Sequence, residues 1–271
     1  MAHNPFHNWK HGWKHGWKHG ALTLGSTPTM SGVTQDATSG IYCPANAAEW
    51  AQTLAVAGIG SGGPTSLWLC QEASGNLADS ITTNTLTANA APAYQQAVAG
   101  WTRKSVNFTV DTAGQRFSAV IGAFAPATHS VLFLGYLSLL TNPLASNRVM
   151  SPGDGGTVTF VGHDTTGHLT YRAGGGTTVT TTAVVTGAGV LPVVATYNRT
   201  ASSATLYSNA EKLTPTFGAA TGTVQGLGAT TGNSTGQASL YMAAFADVAA
   251  ELSDAQIKTL LQTLGWTITW T

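Results

Sequence analysis

Apolar and β-branched runs recur along the chain from residue 66, and beyond Arg116 they follow one another about 10 to 15 residues apart, with Gly-rich or Asn-containing breaks between them. Runs of this length and spacing predict short strands of a sandwich or jelly roll, and not alternating βαβ units. The predicted strands are residues 66–71, 101–109, 115–124, 130–140, 157–162, 168–173, 178–185, 190–197, 204–212 and 238–246.

Two short helices interrupt this β pattern. Asn46 is a good N-cap with Glu49 three positions later, and an apolar stripe then continues until Gly58. The stripe consists of Trp50, Leu54 and Ala57.

The second helix is predicted close to the end of the sequence. Ser253 and Gln256 have the spacing of a capping box, and Gly265 stands where the chain should leave the helix. The apolar stripe between them is Ile257, Leu260, Leu261 and Leu264. Residues 266–270 then alternate apolar and polar, which predicts a closing strand.

The first twenty residues form a separate block in which the tetrapeptide Trp-Lys-His-Gly occurs three times in succession. As a helix this block would lose about 1 kcal/mol for each glycine relative to alanine. As an extended arm it would place Trp and His on one face and Lys and Gly on the other. We therefore predict a docking arm anchored by its indoles. Its docking residues are Trp9, Lys10, His11, Trp13, Lys14, His15, Trp17, Lys18 and His19.

An added tag remains the alternative interpretation of this block. Its histidines could also bind a transition metal such as zinc, nickel or copper. The predicted organisation is a docking arm at 1–20, a linker of small polar residues at 21–41, and a single jelly-roll domain at 42–271.

Composition narrows the class of partner. Charged residues make up only 8% of the chain, the formal net charge is zero, and 43% of residues are apolar. Once Lys10, Lys14 and Lys18 are set aside, eight basic and eleven acidic residues remain, so the body offers no broad basic surface for nucleic acid. Only the arm is expected to meet a polyanion. No run is long and apolar enough for a membrane span, and we expect no signal peptide.

Cys43 and Cys70 are the two cysteines. One disulfide and two buried thiols are both open interpretations, of which we favour the thiols.

Two stretches carry a resemblance to a known family. Residues 190–212 (VLPVVATYNRTASSATLYSNAEK) and 239–266 (SLYMAAFADVAAELSDAQIKTLLQTLGW) resemble the laminin-G-like domains and the wider concanavalin A-like lectin and glucanase class. The resemblance spans about residues 100–271. It implies an all-β, concanavalin A-like jelly-roll β-sandwich with recognition roles, and no particular reaction.

The chain departs from this family at two places. Leu191 and Pro192 stand where many members have Trp-His-His, and residues 208–210 replace the usual Asp-Gly turn. No calcium site of the family can therefore be assigned to residues here, although calcium and a histidine-bound transition metal both remain open as cofactors.

Candidate chemistry is sparse. The chain has four Glu residues, and none has the Glu-x-Asp-x-x-Glu spacing of a glycoside hydrolase, so we expect no enzyme. Tyr171 and Tyr197, interpreted as exposed loop aromatics, are candidates for stacking on glycans, with packing in the core or on a strand face as the alternative. The candidate metal ligands are His163, Asp164 and His168, which lie within one six-residue stretch of a Gly-rich hairpin. A solvated turn is the simpler interpretation of this stretch.

The leading hypothesis is a structural or display protein of a larger assembly, attached by its arm. A phage or virus particle is the expected host, as a capsid decoration, tail or fibre-like component that is assembled in the cytoplasm and displayed on the particle surface. Repeated arms would favour a homo-oligomer. The alternative is a carbohydrate-binding, lectin-like module of a cell-surface or secreted protein.

Overall fold

The fold is known from a computed structural model. It describes residues 30–60, 63–89, 92–108, 116–120, 129–139, 147–152, 160–185, 187, 189–198, 200–218, 224–228, 237–244 and 252–271. The all-β prediction is confirmed, because these residues form fifteen strands and two short helices.

The helices are α1 (Ala47–Val56) and α2 (Asp254–Thr263). The strands are β1 (Ser66–Trp68), β2 (Thr87–Asn89), β3 (Ala93–Gln96), β4 (Ser105–Phe108), β5 (Arg116–Val120), β6 (His129–Leu139), β7 (Asn147–Pro152), β8 (Phe160–His163), β9 (His168–Arg172), β10 (Thr178–Val184), β11 (Val190–Asn198), β12 (Ser203–Tyr207), β13 (Lys212–Leu213), β14 (Val224–Gly228) and β15 (Gln237–Ala244).

The strands form two sheets. The first runs β13-β12-β11-β6-β15-β4-β3, with β1 also paired to β15, and the second runs β10-β9-β8-β7-β14-β5-β2. Every pair of named strands in the described part of the chain is antiparallel. Many neighbours in each sheet are far apart in sequence, as the crossing connections of a jelly roll require.

A main core lies between the two sheets. The first sheet contributes Phe108 of β4 and Val193 of β11, while the second contributes Phe117 of β5 and Leu169 of β9. All four side chains are fully buried, and they make the two sheets a sandwich.

A second core lies on the outer face of the first sheet. On strand β11, the side chain of Val193 packs in the main core and that of its neighbour Val194 packs in the second core. There the helices cover the sheet with Trp50 of α1 and Leu260 of α2. Central strands buried on both faces explain why β6 and β11 appear in the sequence as continuous apolar runs.

Both helices begin and end where the sequence predicts. The Asn46 side chain accepts the N–H of Glu49, and Ser253 and Gln256 form the full capping box. Gly265 follows α2 with a φ of +100°, and the N–H of Trp266 bonds the carbonyl of Leu261 at 3.0 Å. This six-residue closure is the Schellman motif that glycine makes accessible.

Two predictions about segments outside the strands are wrong. The predicted linker at 21–41 is described only from residue 30, and residues 30–41 pack on the domain, because Met30 and Val33 are buried and the N–H of Cys43 bonds the carbonyl of Thr34 at 2.8 Å. Residues 266–270 form no strand, although the N–H of Thr269 bonds a carbonyl of another segment. Their alternation arises from packing against the second core.

Cys43 and Cys70 are buried thiols and not a disulfide, as we favoured. Burial raises the pKa of the Cys43 thiol to about 12. Within the described ranges, neither helix is long and apolar enough to cross a membrane.

Candidate functional site

Tyr171 and Tyr197, the predicted sugar-stacking residues, are core residues. Their side chains are 0% and 1% exposed, respectively. The hydroxyl of Tyr171 donates to the carbonyl of Thr196 at 2.7 Å, and that of Tyr197 donates to the carbonyl of Gly218 at 2.9 Å. The prediction is wrong, because both rings point into the sandwich and no ligand can stack on them.

The three predicted metal ligands lie at the hairpin between β8 and β9. His163 is only 1% exposed, and its Nδ1 lies 3.2 Å from the backbone carbonyl oxygen of Asp164. Oδ1 of Asp164 accepts the N–H groups of Thr166 and His168 at 2.9 and 3.0 Å. These bonds close an Asx-type turn and lower the pKa of Asp164 to about 2, against the opposing effect of burial.

His168 faces this turn. Its Nδ1 lies 3.2 Å from Oδ2 of Asp164 and 2.8 Å from Oγ1 of Thr166. Among the residues that the structure describes, no group of three or more His, Cys, Asp or Glu side chains is placed to hold a metal ion. The hairpin therefore has the geometry of a hydrogen-bonded turn.

The docking arm at residues 1–20 lies outside the described residues, so its nine docking residues stay a prediction.

A cluster of aromatic rings lies at one edge of the second core. Trp101 and Trp266 are partly exposed, and their ring centroids are 6.0 Å apart with an interplanar angle of 31°. Tyr136 of β6 contacts both indoles, with centroid distances of 6.1 Å to Trp101 and 5.2 Å to Trp266. These separations lie in the range of favourable aromatic pairs. We call the surface formed by Trp101 and Trp266 the indole surface.

Each indole follows a glycine with positive φ. Gly100 has a φ of +76°, and Gly265, which ends α2, has a φ of +100°. Only glycine adopts such angles readily, so both glycines turn the chain sharply just before the tryptophan. These Gly-Trp pairs are the sequence signal for the indole surface, which the sequence analysis missed.

Buried tyrosines support the indoles from below. Tyr136 stacks on Tyr241 with a centroid distance of 5.1 Å, and both rings are fully buried. Their hydroxyls donate to the carbonyls of Tyr42 at 2.8 Å and Pro44 at 3.1 Å. Burial raises the pKa of both phenols well above the ordinary value, so they remain neutral donors.

Polar groups lie beside the indole surface. The exposed hydroxyls of Thr38 and Thr102 are 2.8 Å apart. Arg103 extends from the same segment as Trp101, and its guanidinium carbon lies 5.9 Å from the ring centroid of Tyr241. Adjoining apolar rings and polar side chains are typical of small-ligand sites.

Solved structures with a similar fold were found at low sequence identity. Trypanosoma rangeli sialidase in complex with sialic acid gives a TM-score of 0.54 at 12% identity, over 76% of this chain and 34% of that one. A mutant of the same sialidase that displays trans-sialidase activity gives 0.53 at 12%, over 78% and 36%. The present chain thus spans about a third of the length of these sialidases.

A botulinum neurotoxin type C structure, described through its interaction with two ganglioside molecules, gives a TM-score of 0.50 at 10% identity, over 75% of this chain and 51% of that one. No family model and no curated protein matches the chain. At these identities the likeness establishes the fold class alone: an all-β sandwich of the jelly-roll type. The laminin-G assignment has no support from family models.

Two functional expectations change as a result. The expectation that the protein is not an enzyme is contradicted, because solved structures with a similar fold are sialidases, which are enzymes. The structures of similar fold reported above include a sialic acid complex and a toxin described with gangliosides, and they give the virus-particle expectation no support.

Proposed function

We propose that the protein is a carbohydrate-binding, lectin-like module, and that its ligand stacks on the indole surface. The observation that carries this proposal is the pair of partly exposed rings, Trp101 and Trp266, held 6.0 Å apart on a buried tyrosine stack. Large aromatic side chains are the commonest anchors of binding surfaces, because they contribute apolar area at low entropic cost.

The surroundings of the rings suit a sugar. A saccharide presents apolar C–H faces together with hydroxyl groups. The indoles offer an apolar surface for the first, and the adjacent hydroxyls of Thr38 and Thr102 offer donors and acceptors for the second. The neighbours of similar fold that are described with sialic acid and gangliosides support the same class of ligand.

The test is binding of the full chain to a broad glycan array, followed by titration calorimetry on the best ligands. Trp101→Ala and Trp266→Ala should each weaken binding about tenfold or more, as expected for loss of an aromatic anchor. Val184→Ala is the matched control, because this side chain is apolar and 51% exposed but lies on β10 of the other sheet.

Thermal unfolding of each variant checks that the fold is intact. Absence of binding by the wild-type chain to every glycan on the array would overturn the proposal. Undiminished binding by a folded double variant that lacks both indoles would also overturn it.

We also propose that residues 1–20 attach the chain to a larger assembly, separately from the indole surface. Their repeat and their indoles support this role. A chain that lacks residues 1–20 should keep its melting temperature and its glycan affinity but lose association with its native assembly. Normal association of the truncated chain would end this proposal.

A further inference from the structure

Arg103 lies beside the indole surface without an acidic partner. Its Nη2 donates to the carbonyl of Leu69 at 3.3 Å, and its guanidinium lies against the ring of Tyr241. Its Nε is buried and has no hydrogen-bond partner. Among the described residues, the close contacts between a basic and an acidic side chain are His168–Asp164 and Lys212–Asp254, and neither involves Arg103.

The carboxylate of Asp36, which binds the backbone of this segment, is already committed to other donors. Asp36 accepts the backbone N–H groups of Thr102 and Arg103, and it also accepts donors from Thr38 and Ser39. It therefore holds the backbone of the segment and makes no ion pair with the guanidinium. A partly buried cation without a counter-ion is costly unless a ligand supplies one.

The guanidinium and the indoles share the same support. Trp101 contacts Tyr136, Tyr136 stacks on Tyr241, and Arg103 lies over Tyr241. Only Thr102 separates the tryptophan from the arginine in the chain. The guanidinium therefore belongs to a residue two positions from one indole and lies on the same tyrosine stack, and its planar donor fork has the geometry that matches a carboxylate.

We propose that the ligand of the indole surface is an acidic sugar, and that Arg103 binds its carboxylate. This inference rests on the proposed carbohydrate-binding function, and it narrows the ligand class from saccharides in general to those that carry a carboxylate. Thr38 and Thr102 then form hydrogen bonds with the hydroxyl groups of the sugar, while Arg103 selects sugars that carry a negative charge.

The experiment compares each acidic oligosaccharide with its methyl ester. The ester keeps the ring and the hydroxyls of the sugar, removes its negative charge and adds one methyl group. The probes are sialylated oligosaccharides and uronic acid oligosaccharides, titrated against the full chain. We expect the acid to bind about tenfold or more tightly than its ester, and this preference to shrink as salt is added.

Variants of Arg103 assign the preference to its side chain. Arg103→Met should abolish the difference in affinity between acid and ester. Arg103→Lys should retain part of the preference for the acid over the ester, because lysine keeps the positive charge but not the planar fork of donors. Lys104→Met is the matched control: it removes a neighbouring positive charge and should leave the preference intact.

The outcomes separate this inference from the function on which it rests. If the wild-type chain binds acid and ester equally, the ligand need not be acidic and this inference is overturned. If Trp101→Ala also loses that binding, the carbohydrate-binding function is still supported. A preference that survives in a folded Arg103→Met variant would overturn the role of Arg103. Absence of binding to every saccharide, acidic or neutral, would overturn both. If Arg103→Met does not fold, the acid and ester titrations of the wild-type chain and of Arg103→Lys still decide the question.

Discussion

Oδ2 of Asp36 accepts the backbone N–H of Arg103 at 2.6 Å. The same carboxylate accepts the N–H of Thr102, at 2.9 Å to Oδ2 and 3.2 Å to Oδ1. One side chain near the start of the described chain thus fixes the segment that carries Trp101 and Arg103. The indole surface depends on this bond, because the segment between Gly100 and β4 belongs to no helix or strand.

Removal of the Asp36 carboxylate should therefore loosen the indole surface. Asp36→Ala should lower the free energy of unfolding by about 3 kcal/mol, since several hydrogen bonds to a buried charge are lost. Asp36→Asn keeps one acceptor oxygen and should lose less. Urea unfolding measures the stability, and glycan titration measures the site. An alanine variant with wild-type stability would show that these bonds contribute little.

The stability of the protein should fall in acid in two stages. Burial of His163 lowers its pKa below the ordinary 6.5, so the unfolded chain takes up a proton first and stability decreases below about pH 6.5. For Asp36 and Asp79, burial would raise the pKa, but hydrogen bonds outweigh it and lower the pKa below 3.8. Their contribution is complete above about pH 4 and is lost as the pH falls further.

Urea unfolding across this pH range measures both stages. His163→Gln should flatten the first stage, and Asp36→Asn should reduce the second. A free energy of unfolding that stays constant as the pH falls to about 3 would contradict the assignment of these groups.

The sequence predicts most regular elements because their signals are local. Asn46 with Glu49 and Ser253 with Gln256 define the two helix starts through side chains only three residues apart. Continuous apolar runs mark the central strands that are buried on both faces. Four strands escape prediction, because none has a clear apolar alternation: β2 (TAN), β3 (AYQQ), β7 (NRVMSP) and β14 (VQGLG).

The candidate site could not be predicted in the same way. Trp101 and Trp266 are brought together by the packing of α2 and the 100–104 segment on one sheet, and no local pattern reports that contact. The reverse error concerns Tyr171 and Tyr197. From the sequence we interpret them as exposed loop aromatics, but they fill the space between two sheets whose pairing arises from distant segments.

Gly218 approaches Gly174 too closely to tolerate a side chain. A Cβ added at Gly218 would lie 2.0 Å from the carbonyl oxygen of Gly174, which is backbone and cannot move aside. Gly218→Ala should lower the free energy of unfolding by about 2 kcal/mol or more. Gly60→Ala is the matched control, because its Cβ would meet no atom within 4 Å. Equal melting temperatures for the two variants would contradict the close approach.

The edge of the second sheet is protected by Glu211. Its carboxylate accepts the N–H of Ala183 at 2.7 Å and the N–H of Thr182 at 2.9 Å, both on the edge strand β10. An edge strand with unpaired N–H groups invites pairing with another chain. Glu211→Ala should therefore accelerate amide hydrogen exchange of Thr182 and Ala183 about tenfold and promote aggregation on heating. Glu211→Gln, which keeps one acceptor oxygen, should lie between alanine and the wild type. Unchanged exchange at both amides in the alanine variant would show that the edge is protected by other means.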